Sequence, residues 1–199
     1  MNNRIFLALV FTWPLAACFS KPKRGPDMKN YILWEKTNKP KWADFKGAVP
    51  WVSTADANTH YVIGFTESDL RDSIEINLST YFIKDSSWVI NSMNSPYLLN
   101  HELRHFDLAE VYARKYRKYL SDWDGNNAFL FSLYADYGRK INKMDSAETR
   151  YDKETNHSLN HSAQEKWNGK IDSLLEAYSA YDKPVFRIPL HHAGNRKKY

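Results

Sequence analysis

His101-Glu102-Leu103-Arg104-His105 places three metal- and proton-handling side chains at a spacing with a definite chemical use. On an α-helix, residues four apart lie one turn above each other on nearly the same face, so His101 and His105 can grip one ion. Glu102 lies about 100° round the helix from His101, within reach of a water on that ion. Two neutral imidazoles in this pattern hold Zn2+, and the carboxylate takes a proton from the zinc-bound water for attack on a polarised carbonyl. From the chain's own His and Glu content roughly 0.01 such matches arise by chance, and the bland alternative is a helix with two ordinary histidines.

The surrounding helix argues against that alternative. Between Pro96 and Leu120, the residues Leu98, Glu102, His105, Ala109, Ala113, Tyr116 and Leu120 share one side of a helical wheel. Arg104, Asp107, Arg114, Lys115 and Lys118 share the other, which is expected to face solvent. Ionisable groups on the inward side are costly unless paired or metal-bound. Ser95-Pro96 is a cap residue followed by proline at the first helical position, and it marks the start.

A catalytic zinc site takes three protein ligands and keeps a fourth position open. Asp107 and Glu110 point away from the histidines, and Glu110 reads as a surface partner of Arg114 at i,i+4. No Gly-x-x-His continuation follows His105. The first choice for the third ligand is His157, in a polar, loop-like segment ahead of a helix, with His161, Glu154 and Asp152 as alternates. Tyr151 is the candidate hydrogen-bond donor to a developing oxyanion. His191-His192 sits in a basic tail, where paired histidines are ordinarily solvated.

These residues need a scaffold. Tyr31–Trp34, Thr59–Thr66, Ser73–Phe82 and Ser87–Ile90 read as strands of a small mixed or antiparallel sheet, with Trp42–Gly47 as an aromatic-packed turn. The alternating Ile74–Phe82 segment would be half exposed and free to pair an extended substrate along its edge. After the motif helix, Ala128–Asn142 and Ser162–Tyr178 carry apolar residues at helical spacing, and a tail begins at Pro184. Sheet first and helices after give an α+β single domain over 29–199. The formal charge of +5 is spread along the chain and is no nucleic-acid footprint.

The first residues have a different use. A short basic start and an apolar run from Ile5 to Ala17 end in Leu15-Ala16-Ala17-Cys18. This resembles a bacterial lipobox, with 1–17 as signal peptide, Cys18 as the lipidated residue and 18–28 as a tether. Cys18 is the single cysteine, so no intrachain disulfide forms. Phe19 follows it, not the aspartate that resembles an inner-membrane retention signal in enteric bacteria. The expected location is therefore the bacterial envelope, favouring the outer membrane, with a lipid anchor as the membrane contact.

Leu98-Leu99-Asn100-His101-Glu102-x-x-His105-Phe106-Asp107-x-Ala109-Glu110, together with Tyr151-Asp152-x-x-Thr155-x-His157, resembles a family of secreted bacterial proteins regarded as predicted zinc-dependent proteases. The resemblance spans roughly Trp34 to Trp167 and is strong in these two blocks. It implies a zincin-like fold, zinc at His101 and His105, and Glu102 as the acid/base. It adds weight to His157, and it implies a peptide or protein substrate. The family's second block carries glycine after the histidine, where this chain has Ser158.

Two rival readings follow from the same residues. Glu102-x-x-His105 and Glu154-x-x-His157 are two Glu-x-x-His units, the kind from which di-iron four-helix bundles build their site. Alternatively, the chain is a non-catalytic, envelope-associated binding or scaffold lipoprotein that keeps a zincin fold.

Overall fold

The computed structural model describes residues 28–122 and 143–189. Cys18 with its signal run and tether, the expected helix Ala128–Asn142, and His191-His192 lie outside them. The fold is α+β, with antiparallel sheets followed by helices.

The sheet is organised around its longest strand. Strand β1 is Tyr31–Leu33, β2 Ala57–Asn58, β3 Tyr61–Asp69, β4 Ser73–Ile83, β5 Trp88–Val89 and β6 Val185–Pro189. Period-2 alternation puts Ile74, Ile76, Leu78 and Phe82 of β4 into the core. One edge of β4 pairs with β3, from Tyr61↔Phe82 to Asp69↔Ile74. Its other edge is shared end to end by β1, at Tyr31↔Ile83, and β6, at Ser73↔Pro189. The strand expected to offer a free edge is therefore the inner one, and its backbone groups are already committed to neighbours. The tail from Pro184 is corrected as well, because Ile188 is buried within β6 and closes the sheet. β2 and β5 form a separate two-stranded pairing.

Helix α1, Pro96–Ser121, begins as its sequence requires, with the Ser95 side chain accepting from the Leu98 amide at 3.1 Å and Pro96 in the first turn. It is packed on three sides. Ala109, Ala113, Tyr116 and Leu120 meet Ile63, Ile74, Ile76, Leu78 and Ile188 of the sheet. Leu108 and Val111 meet Tyr151, Trp167 and Ile171. Phe106 stands 6.0 Å from Phe82, which in turn lies 5.0 Å from Phe45.

Part of the charged side of the wheel is buried too, while Arg104, Lys115 and Lys118 keep some exposure. Asp107, Glu110, Arg114 and Arg117 are each at most 6 % exposed. Arg114 Nε and Arg117 Nη1 donate to Glu110 Oε1 at 3.0 and 2.8 Å, and Thr80 Oγ1 donates to Oε2 at 2.8 Å. Trp34 Nε1 and Lys39 donate to Asp107. The expected Glu110–Arg114 surface pair thus exists, but it lies inside a covered ionic network. Charge on a helix face signals solvent only when nothing pairs it, and here Glu110 is paired with Arg114 and Arg117 of the same helix and Asp107 with Lys39, while the sheet adds the Thr80 hydroxyl and the Leu78 carbonyl.

The described part of α2 is 143–155, and α3 is His161–Ala177. Met144, Tyr151 and Thr155 of α2 are buried at helical spacing. The segment from Tyr151, expected as loop-like, is therefore the last turns of a helix. The true turn is 156–160, where Asn156, His157 and Ser158 have φ of 48°, 50° and 75°. The Asn160 side chain caps α3 by accepting from the Ala163 amide at 3.1 Å. Among the described residues no helix is long and apolar enough to cross a membrane.

Candidate metal centre

The site forms where the first turns of α1 meet the face of α2. His101 and His105 rise from successive turns of α1, and their rings are perpendicular with centroids 5.0 Å apart. From α2, Asp152 Oδ1 sits 3.4 Å from His101 Nε2 and 3.0 Å from His105 Nε2. One ligand atom from each of these three residues lies within 4.8 Å of the others, so the group can hold a metal ion. The donors are largely buried, with side-chain exposures of 4, 12 and 14 %.

The far side of each ring is occupied. His101 Nδ1 lies 2.9 Å from Gln164 Oε1, and His105 Nδ1 is bonded to Glu148. Both Nε2 atoms face Asp152, while both Nδ1 atoms are held from behind. This is the arrangement metal-binding histidines use, in which an outer partner fixes ring orientation and tautomer. Glu148 and Asp152 stand four apart on α2, so one helical face supplies both a candidate ligand and a ring-holder.

Electrostatics follow the geometry. Burial disfavours a charged His105, yet the Glu148 and Asp152 carboxylates outweigh it and hold the imidazole well above its ordinary range. Burial would also raise Asp152, but the charge of the adjacent His105 holds it well below the usual carboxylate range. Glu148 is raised, by burial first and against the pull of His105. A dication between the Nε2 atoms and Asp152 would replace the proton that His105 otherwise keeps.

The predicted site residues sort as follows. His101, Glu102 and His105 are together on α1. Glu102 is 5 % exposed, and its charge is felt at Tyr151. Among the described residues its carboxylate has no hydrogen-bond or ion-pair partner. Asp152, an alternate, takes the place expected of His157. The His157 ring is 63 % exposed and comes only within 3.8 Å of Asp152 Oδ2, because the left-handed turn swings it outward past the end of α2. Glu154 accepts from Trp167 Nε1 at 2.8 Å, and His161 stacks on Tyr97 at 4.0 Å. The two Glu-x-x-His units therefore do not converge.

Tyr151 reaches the site in another role than expected. Its ring stacks on His101 at 4.8 Å, but its hydroxyl turns behind the histidine and donates to His101 O at 3.1 Å. It is fully buried there, and burial pushes its hydroxyl pKa up. A hydroxyl so engaged supports the ring and is not aimed at an oxyanion.

Sequence reasoning missed Glu148 and Gln164. Glu148 was detectable: Met144, Glu148, Tyr151, Asp152 and Thr155 follow a helical period, disguised because its inward face is partly polar. Gln164 carries no such signal. Comparison with protein-family models, curated proteins and solved structures finds no match.

Proposed function

We propose that this chain is a zinc-dependent peptidase of zincin type, exported and held in the bacterial envelope by a lipid on Cys18. One observation carries the reading: both histidine Nε2 atoms of the H-E-x-x-H helix converge on Asp152 Oδ1, at 3.4 and 3.0 Å, while Gln164 and Glu148 hold both Nδ1 atoms. Two imidazoles and one carboxylate are a donor set suited to zinc in a hydrolytic site. A zinc ion held there supplies a Lewis acid and an acidified water.

The chain's own residues supply the rest. Glu102, buried and without a partner among the described residues, is available to accept a proton from the attacking water and return it to the leaving amine. Glu148 and Gln164 keep the rings aimed, and Tyr151 braces His101 from the side. The substrate class is a peptide or protein on the outer side of the cytoplasmic membrane.

Metal analysis of the purified chain together with a peptide-library digest tests this. The expected result is one zinc per chain, and a Glu102→Gln variant that keeps zinc while losing hydrolysis by about 10²- to 10⁴-fold. No stoichiometric zinc refutes the metal assignment. Two iron atoms would favour the di-iron reading, and undiminished cleavage by Glu102→Gln would favour a chain whose function is not this chemistry.

A further inference from the structure

We infer that a directed hydrogen-bond relay, Arg104–Asn168–Gln164, fixes the tautomer of His101 and thereby leaves its Nε2 lone pair free for the metal. The inference rests on the metal site proposed above and assigns positioning roles that neither the motif nor its spacing contains.

The direction of the relay follows from donor chemistry alone. A guanidinium can only donate. Arg104 Nε donates at 3.1 Å to the side-chain amide of Asn168, so the atom it meets must be Oδ1. Gln164 approaches the same Oδ1 at 2.9 Å and must present its NH2 group there. The remaining Gln164 atom is then the carbonyl Oε1, and it lies 2.9 Å from His101 Nδ1. An acceptor at that distance requires a hydrogen on Nδ1, and a neutral imidazole with Nδ1–H has a bare Nε2. That Nε2 is the atom turned to Asp152.

The remaining bonds agree with this direction. The second Gln164 N–H goes to Tyr151 Oη at 2.7 Å, and the single Tyr151 proton has two acceptors at 3.1 Å, His101 O and Gln164 Oε1, the latter again an acceptor. Arg104 is also held by Asp172, which takes two of its N–H groups at 2.5 and 3.2 Å, and by Asp107 at 3.2 Å. Gln164 is 1 % exposed, so no solvent competes for its amide. The two histidines are thus set by different means. His105 has a carboxylate behind it, which accepts whatever its neighbours do. His101 has an amide, which can face either way and depends on Arg104 two steps off.

The test reads the tautomer directly. Imidazole 15N–1H spectra are recorded on the metal-free protein at mildly alkaline pH, and zinc affinity is measured by competition with a chromogenic chelator. In the wild type, His101 is expected as the Nδ1–H form. Gln164→Met should move His101 toward the Nε2–H form and weaken zinc binding by about 10- to 100-fold. Asn168→Asp keeps an acceptor for both Arg104 and Gln164 and should retain the wild-type tautomer and affinity, while Asn168→Leu should lose part of each. A purely structural role for residue 168 would not separate Asp from Leu in the tautomer spectrum. Wild-type His101 found as Nε2–H overturns the inference, as does Gln164→Met with tautomer and affinity unchanged. If Gln164→Met does not fold, the wild-type spectrum and the Asn168 pair still decide. A wild type that binds no zinc yet shows His101 as Nδ1–H refutes the metal reading and leaves the relay standing.

Discussion

Replacing Glu110 by alanine separates two physical descriptions of α1 by an order of magnitude. If Glu110 and Arg114 were an exposed i,i+4 pair, the substitution would cost about 0.3–0.5 kcal/mol. The structure instead places Glu110 at 2 % exposure, accepting from Arg114 Nε, Arg117 Nη1 and Thr80 Oγ1 at 3.0, 2.8 and 2.8 Å. Arg117 is also 2 % exposed, and its other N–H groups reach the carbonyls of Leu78 and Tyr181. Those bonds use its protons but do not neutralise its charge, so removing Glu110 leaves uncompensated guanidinium charge inside the fold. Breaking a buried ion pair in this way costs about 3–5 kcal/mol. For a chain of this size that corresponds to roughly 6–20 °C in melting temperature. Urea unfolding followed by circular dichroism measures the cost. A loss below about 1 kcal/mol, in the range of surface pairs, would refute the claim that this face of α1 is buried in the working protein.

Other perturbations address the site and its frame. Asp152→Ala should abolish stable zinc binding by removing one of three ligands, while His157→Ala should bind as the wild type; isothermal titration with zinc checks both, and the reverse outcome would restore His157 as ligand. Ser158→Gly should raise stability by about 0.4–1 kcal/mol in chemical denaturation, because Ser158 sits at φ 75°, where a side chain is strained and glycine is not. Gly47→Ala should lower stability by about 1–3 kcal/mol, since a Cβ there would meet the carbonyl oxygens of Asp85 and Ser87 at 2.9 Å; an unchanged denaturation midpoint would show that this turn can open.

Legibility from sequence followed how local each interaction is. The start of α1 was readable because Ser95 and Pro96 act within one turn of themselves. β4 was readable because its alternation is carried by Ile74, Ile76 and Leu78 against polar neighbours. Its place in the sheet was not readable, since partnership is decided by β6, more than a hundred residues away. The same holds for the third ligand. Asp152 is only an alternate on sequence because the polar stretch Tyr151–Thr155 reads as a loop. The helical face that carries Asp152 is written partly in polar residues, which a search for apolar periodicity discounts. His157 lies inside a motif-like block but beyond the end of the helix, where side-chain direction depends on three left-handed residues in a row.

The site's elements have a thermodynamic consequence. His101 and His105 belong to α1, Asp152 and Glu148 to α2, and Gln164 to α3, so ligands and ring-holders exist as a set only when all three helices are docked. The apolar contacts that dock them are themselves adjacent: Tyr151 stacks on His101 and lies 5.4 Å from Trp167, with Leu108 and Val111 of α1 in the same cluster. A metal at this site would therefore act as a cross-link between α1 and α2, and its binding free energy would add to the stability of the docked state, by about 2.7 kcal/mol at free zinc a hundredfold above the dissociation constant. The sheet side of α1 shares no ligand, so zinc removal should loosen α2 and α3 while β3, β4 and their helix contacts persist. Hydrogen exchange with and without chelator reads this out: faster exchange confined to the helices fits the cross-link, and uniform acceleration through β4 would show instead that the metal is a requirement of the whole fold.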